Sequence, residues 1–251
     1  MKKTALVILL LIVAGCGRKG PLMAPEALAP APIADLRVEQ KGEQFQVSWS
    51  RPAGESGGRP LRDLARFQLF KREVLPPGED CEECPTAYRL LKSIDLDYLQ
   101  GVTISGTRYL SIDTDLAEGK TYRYKVFSLK KDGTASRTSN RAGRKKVAPP
   151  LPPVLKATSS LSGVVLEWSG GAPPANGLIA GYNIYRKQSD ETLYLAPLTS
   201  APVKEAVFED KQLEWGKRYD YSVRTVAVVD GETVESTPSN EVRGALTEPV
   251  E

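Results

Sequence analysis

Leu116-Ala117-Glu118-Gly119-Lys120-Thr121-Tyr122-Arg123-Tyr124-Lys125-Val126 returns as Leu213-Glu214-Trp215-Gly216-Lys217-Arg218-Tyr219-Asp220-Tyr221-Ser222-Val223, shifted by 97 residues at every matched position. Upstream, Val47-Ser48-Trp49-Ser50 answers to Leu166-Glu167-Trp168-Ser169, and Phe67-Gln68-Leu69-Phe70-Lys71-Arg72 to Tyr182-Asn183-Ile184-Tyr185-Arg186-Lys187. Downstream, Ser139-Asn140 answers to Ser239-Asn240. Matched segments in the same order make this one structural unit written twice. The two Trp residues lie 119 positions apart rather than 97, so the first copy carries about 22 extra residues between its Trp and its Gly-x-x-Tyr.

Each copy reads as short strands. Tyr122, Tyr124, Val126 and Ser128 alternate with Arg123, Lys125 and Phe127, and Phe45, Val47 and Trp49 alternate with polar neighbours. A period of two in β-branched and aromatic residues marks half-buried strands. Lys41-Gly42-Glu43, Lys131-Asp132-Gly133 and Val229-Asp230-Gly231-Glu232 separate them, the last two as Asp-Gly hairpin signals. No segment carries a long amphipathic helix pattern. The 251 residues are 41% hydrophobic and 26% charged, with 21 Gly and 19 Pro, a balance that suits folded all-β domains with many turns.

The motifs resemble fibronectin type III domains, over nearly everything from Pro32 to Leu246. An opening Pro-x-x-Leu-x-Val segment appears at Ile33-Ala34-Asp35-Leu36-Arg37-Val38, and the closing Ser-x-x-Ser-Asn as Ser236-Thr237-Pro238-Ser239-Asn240. The resemblance implies two tandem fibronectin type III-like β-sandwiches, at 33–147 and 154–247, joined by a Pro-rich linker at 148–153. It implies that Trp49 and Trp168 fill the space between sheets. Tyr122 and Tyr219 would be tyrosine corners that bond back to upstream backbone. Asp113-Thr114-Asp115 would be a turn ahead of the corner, not a catalytic or calcium-binding carboxylate pair.

The N-terminus reads as an address. Lys2 and Lys3 precede an apolar run from Ala5 to Ala14, ten residues and too short to span a bilayer, which needs roughly 20. It ends in Val13-Ala14-Gly15-Cys16, which resembles the lipobox of bacterial lipoproteins. Residues 1–15 would be the signal peptide and Cys16 the lipid attachment site, with a palmitate-type acyl chain among its lipids. Two or more acyl chains anchor stably. Gly17, where an Asp retains such proteins in the inner membrane of enteric bacteria, favours the outer membrane. The stretch Cys16-Gly17-Arg18-Lys19-Gly20-Pro21-Leu22 resembles the start of the small lipoproteins that assist maturation of the lipopolysaccharide translocon. Residues 16–32 continue as a Pro/Ala-rich tether, and its extended Pro-rich conformation could lift the first domain up to roughly 50 Å from the membrane.

The copies differ in informative ways. The insertion in the first splits into a polar stretch, 51–66, and an acidic one, 73–88, and long loops of this kind often carry function. Cys81 and Cys84 stand in Glu79-Asp80-Cys81-Glu82-Glu83-Cys84. Three readings are open: a structural disulfide, the simplest in an oxidising compartment; a redox pair, disfavoured because neighbouring carboxylates oppose the thiolate; and a metal site shared between molecules, which would need further ligands. Residues 33–148 hold 21 Lys and Arg against 16 Asp and Glu, a net +5, and residues 149–251 hold 9 against 14, a net −5. Arg137, Arg141, Arg144, Lys145 and Lys146 gather the positive charge at the last strand and the linker. They form either a surface for anionic headgroups or another partner, or a guard against edge-to-edge strand pairing. The linker Ala148-Pro149-Pro150-Leu151-Pro152-Pro153 reads as a stiff spacer that sets the two sandwiches in line.

The absence of histidine removes Ser-His-Asp and Cys-His nucleophile systems, His-ligated zinc and His-ligated haem. A net charge of +3 is too mild for a dedicated nucleic-acid binder. The expectation is a non-catalytic cell-envelope lipoprotein with no cofactor and no metal, held on the membrane through Cys16. Its sandwiches would engage an envelope protein partner. The alternative is an accessory factor in outer-membrane biogenesis.

Overall fold

A computed structural model describes residues 24–191, 194 and 196–248. The signal peptide, Cys16 and the translocon-like segment lie outside these residues. Apart from one 3-10 turn at Pro25–Leu28, the named elements are strands, and no helix among the described residues is long and apolar enough to cross a membrane.

The first sandwich has two layers. One holds β1 (Arg37–Lys41), β2 (Gln44–Ser50), β5 (Val102–Ser105) and β6 (Arg108–Asp113). The other, in the order β4-β3-β7-β8, holds β3 (Leu64–Glu73), β4 (Arg89–Asp95), β7 (Thr121–Lys130) and β8 (Ala142–Lys145). Along β7 burial alternates with the sequence period: Tyr122, Tyr124, Val126 and Ser128 turn inward and Arg123, Lys125 and Phe127 outward. Trp49 is fully buried between the layers, edge-on to Phe67 at 5.7 Å. In the second sandwich β9 (Val154–Ser159), β10 (Val164–Ser169) and β12 (Val207–Asp210) form one layer. Facing them are β11 (Gly177–Gln188), β13 (Tyr219–Val229), β14 (Glu232–Glu235) and β15 (Val242–Gly244). Trp168 and Tyr182 fill its core.

The repeated motifs do the work expected of them. The Ala117 and Glu214 backbone amides donate to the Tyr122 and Tyr219 hydroxyls at 2.9 and 3.2 Å, so both are tyrosine corners. In the closing motif Ser139 and Ser239 accept from the amides of Val126 and Val223, and Asn140 and Asn240 bond both backbone groups of Leu36 and Leu155. Side chains thus satisfy the backbone where the last strand leaves the ladder. At the β13–β14 hairpin Asp230 and Gly231 both take positive φ, 50° and 81°, the conformation a two-residue turn with matching twist requires.

Two expectations need correction. The tether is not free along its whole length. Ala31 donates to the Gly54 carbonyl, and Ser56 and Gly57 donate to those of Ala29 and Ala27, so residues 27–31 lie along the polar insertion. Lys130 clamps this contact by bonding Leu28 O, Glu55 and Asp63. Much of that insertion therefore holds the chain's own tether, and its last residues, 64–66, already belong to β3.

The linker, too, is not what sets the sandwiches. β1 pairs in parallel with β14, Gln40 opposite Val234 and Lys41 opposite Glu235, so one layer of each sandwich merges into a single eight-stranded sheet. Two strand edges with open backbone groups satisfy each other. A small apolar cluster of Val147, Ala227, Val229 and Val234 lies under the join. Gln40, 1% exposed, bonds both backbone groups of Val147.

Candidate interaction surface

Glu73 ends β3 and Arg89 begins β4, so the acidic insertion is the loop between them. Cys81 and Cys84 are joined in a disulfide, with Cα atoms 5.4 Å apart. The first of the three readings of this pair is the one observed.

The disulfide holds a tight turn whose carboxylates reach back to the outer face of the β3-β7-β8 layer. Residue 72 of β3, 123 and 125 of β7, and 141 ahead of β8 supply the seat. Arg72, 4% exposed, takes Asp80 in a two-pronged pair at 2.8 and 2.9 Å, the strongest geometry for a guanidinium and a carboxylate. Glu82 receives the Tyr88 hydroxyl at 2.8 Å, Arg141 at 3.2 Å and Arg123. Arg141 also pairs with Glu83 at 2.7 Å. The Lys125 ammonium lies 4.1 Å from the centre of the Tyr88 ring.

These contacts shift the titration of the groups they join. Burial pulls the Glu82 carboxyl upward, but Tyr88, Arg123, Arg141 and Arg72 outweigh it and hold its pKa below the ordinary value. The Arg72 hydrogen bond and then the Leu75 amide hold Asp80 low. Burial and then Glu82 push the Tyr88 hydroxyl up to about 12. At neutral pH the loop is a disulfide-closed anionic turn fixed on a cationic seat.

The basic cluster is not one surface. Arg137 is exposed on the stretch between β7 and β8. Arg141 serves the loop. Arg144 pairs with Glu232 at 3.2 Å and donates to Thr233 O, Lys145 pairs with Asp230 at 2.8 Å, and Lys146, 2% exposed, pairs with Glu43 at 2.6 Å. Arg144 and Lys145 are thus committed to the second sandwich, and Lys146 is buried beside the junction. Of the two readings of this cluster, a surface for an anionic partner or a guard of the strand edge, these pairings leave Arg144, Lys145 and Lys146 little free charge for the first. The opposite net charges of the halves meet here, which is the physical reason the cations gather at the end of the first copy.

A buried ion pair escaped the sequence. Lys71 and Asp113 lie 2.7 Å apart with side chains 1% and 2% exposed. The Tyr124 hydroxyl donates to Asp113 at 2.6 Å, and Lys71 sits 4.5 Å from the centre of the Tyr122 ring. The second sandwich repeats the device with Arg186, Asp210, Tyr221 and Tyr219, at 2.8, 2.9 and 5.0 Å. The signal was present in the alignment of the copies: Lys71 matches Arg186, and Asp113 stands 97 residues before Asp210.

No known protein family's profile matches the chain. No curated protein is significantly similar to it. Among solved structures it is similar to the FN1-FN3 domains of chicken CNTN1, at 15% identity and a TM-score of 0.33. That likeness covers 86% of this chain and 65% of the other, just under two thirds of its length.

Proposed function

We propose that this chain is a membrane-anchored, non-catalytic lipoprotein of the cell envelope that acts as an interaction or scaffold module. In this reading lipid on Cys16 holds it on the outer membrane and the disulfide loop meets an envelope protein. The observation that carries the reading is the rigid build between tether and junction. The tether grips the Lys130 end of β7 and the second sandwich joins near its Thr121 end, a ten-residue strand or about 33 Å away. Such a body projects the acidic loop and the second sandwich at a set distance from the gripped part of the tether, residues 27–31.

The more specific reading is an accessory role in lipopolysaccharide translocon assembly. It rests on the stretch from Cys16 to Leu22 alone.

A photo-cross-linker in place of Glu83, whose side chain is 78% exposed, tests both in native envelopes. The expected result is one discrete cross-linked protein, weakened when Cys81 and Cys84 are both changed to Ser. Recovery of translocon subunits favours the more specific reading, and no cross-link above background removes the loop as the contact. Mass spectrometry of the mature chain tests the anchor, and an unmodified Cys16 overturns it.

A further inference from the structure

The sheet that crosses the junction has an outer face with a cleft of about 210 Å³, smaller than the usual site for a drug-sized ligand. Lys41, Gln44 and Gln46 of the first sandwich line it together with Tyr185, Ser222 and Arg224 of the second. Strand register explains the meeting. Lys41 lies opposite both Gln44 and Glu235, and Tyr185 lies opposite Ser222, so their side chains share one face across the shared sheet. Neither sandwich alone carries the whole lining.

The charges of this face are paired among themselves. Glu235 accepts from the Tyr185 hydroxyl at 2.8 Å and from the Asn183 carboxamide at 2.7 Å. It faces Arg224 at 3.7 Å and Lys41 at 3.9 Å, and Lys41 also donates to the Tyr185 hydroxyl at 3.1 Å. Glu241, at the same cleft, pairs with Lys187 at 3.1 Å. Three cations, Lys41, Arg224 and Lys187, thus face two carboxylates, Glu235 and Glu241, and each is already in an ion pair, so no unpaired charge is left at this face to hold an ion.

Uncharged hydrogen-bonding groups are what remains open. The Ser222 hydroxyl is buried, in a residue 2% exposed, and has no partner among the described residues. A buried hydroxyl without a partner costs about 1–3 kcal/mol, so its survival asks for an explanation. The half-buried carboxamides of Gln44 and Gln46 make no hydrogen bond to another described residue. Each carboxamide offers two donor hydrogens and an acceptor oxygen, and the hydroxyl offers one donor and two lone pairs. Uncharged donors and acceptors side by side complement a compact molecule bearing several neighbouring hydroxyls.

We propose that this cleft binds one sugar unit of a neutral glycan, held by Gln44, Gln46 and Ser222 and enclosed by the two sandwiches. The site does not depend on the lipid anchor or on the disulfide loop. Because its lining comes from both sandwiches, occupancy requires the junction to be closed.

The test is calorimetric and NMR titration of the full chain with glucose, galactose, N-acetylglucosamine and their disaccharides, and with glucuronic acid as the charged control. Saturable binding of at least one neutral saccharide is expected, with glucuronic acid weaker. Gln46→Ala and Ser222→Val should each weaken it tenfold or more. Gln46 sits at the surface of β2, and Ser222→Val removes an unpaired buried hydroxyl, so neither variant should fall below the wild-type unfolding midpoint, measured alongside. No saturable binding by any neutral saccharide, a preference for glucuronic acid, or unchanged affinity in both variants overturns the proposal.

Discussion

Changing Asp113 to Asn would leave the Lys71 ammonium charged in the core of the first sandwich. The native carboxylate lies 2.7 Å away, with both side chains almost wholly buried. What remains is the Asp115 carbonyl, the Asp115 carboxylate at 3.8 Å and the Tyr122 ring. Removing one partner of a buried pair costs about 3–5 kcal/mol, and these residual contacts place Asp113→Asn near the lower end, about 3 kcal/mol. At about 4 °C per kcal/mol for a domain of this size, the melting temperature of the first sandwich should fall by about 12 °C. Lys71→Met should also destabilise, because it strands a carboxylate that keeps only the Tyr124 hydroxyl and the Asp115 amide as donors. The double variant carries neither charge and should cost at least 2 kcal/mol less than the sum of the single changes, an estimate from the usual size of couplings between contacting groups. Arg186→Met is the internal comparison: the Arg186 side chain is 22% exposed, so water softens the loss. Urea unfolding and calorimetry of all four variants decide the matter. A shift under about 1 kcal/mol for Asp113→Asn, within the range of ordinary surface changes, would refute the reasoning. So would a double variant as unstable as the sum.

Tyr219→Phe removes the acceptor of the Glu214 amide and should cost the second sandwich about 1–3 kcal/mol, read from its denaturant midpoint. Gly42→Ala tests the junction. Gly42 has φ 62° and donates to Glu235 O, and an added Cβ would stand 2.8 Å from the Thr237 methyl, so the variant should widen the angular distribution between sandwiches in small-angle scattering while both still fold. Acid should release the disulfide loop. Glu82 and Asp80 have pKa values lowered by docking, so their contribution is full above the ordinary values of 4.5 and 3.8 and fades as pH falls through the lowered ones. Hydrogen exchange of the Leu75 amide, which donates to Asp80, should stay protected from pH 7 down through the ordinary carboxylate value and lose protection only as pH falls below it, and protection already lost at pH 5 would contradict the assignment.

The two-sandwich architecture was legible because its determinants are local. A period of two in Tyr122–Ser128, Asp-Gly at a hairpin tip, and a hydroxyl placed to reach backbone five residues upstream each act over a few residues, and the second copy repeats them. The disulfide was legible for the same reason, since Cys81 and Cys84 lie three residues apart. The length of the acidic insertion marked it as unusual, but nothing local said that Arg72, Arg123 and Arg141 from three segments would seat it.

What the sequence alone determined is therefore the identity of each unit: its strands, its corner tyrosines, its core tryptophans, and the charge difference between the halves. Tertiary structure decided where those charges go and how the units join. Arg144 meets Glu232 across 88 positions and Lys71 meets Asp113 across 42, separations at which no periodicity constrains the pairing. The parallel pairing of β1 with β14 depends on two strand edges being left open at once. An open edge exists only after each sandwich has folded, so the junction, and the cleft above it, arise from completed surfaces rather than from any run of residues.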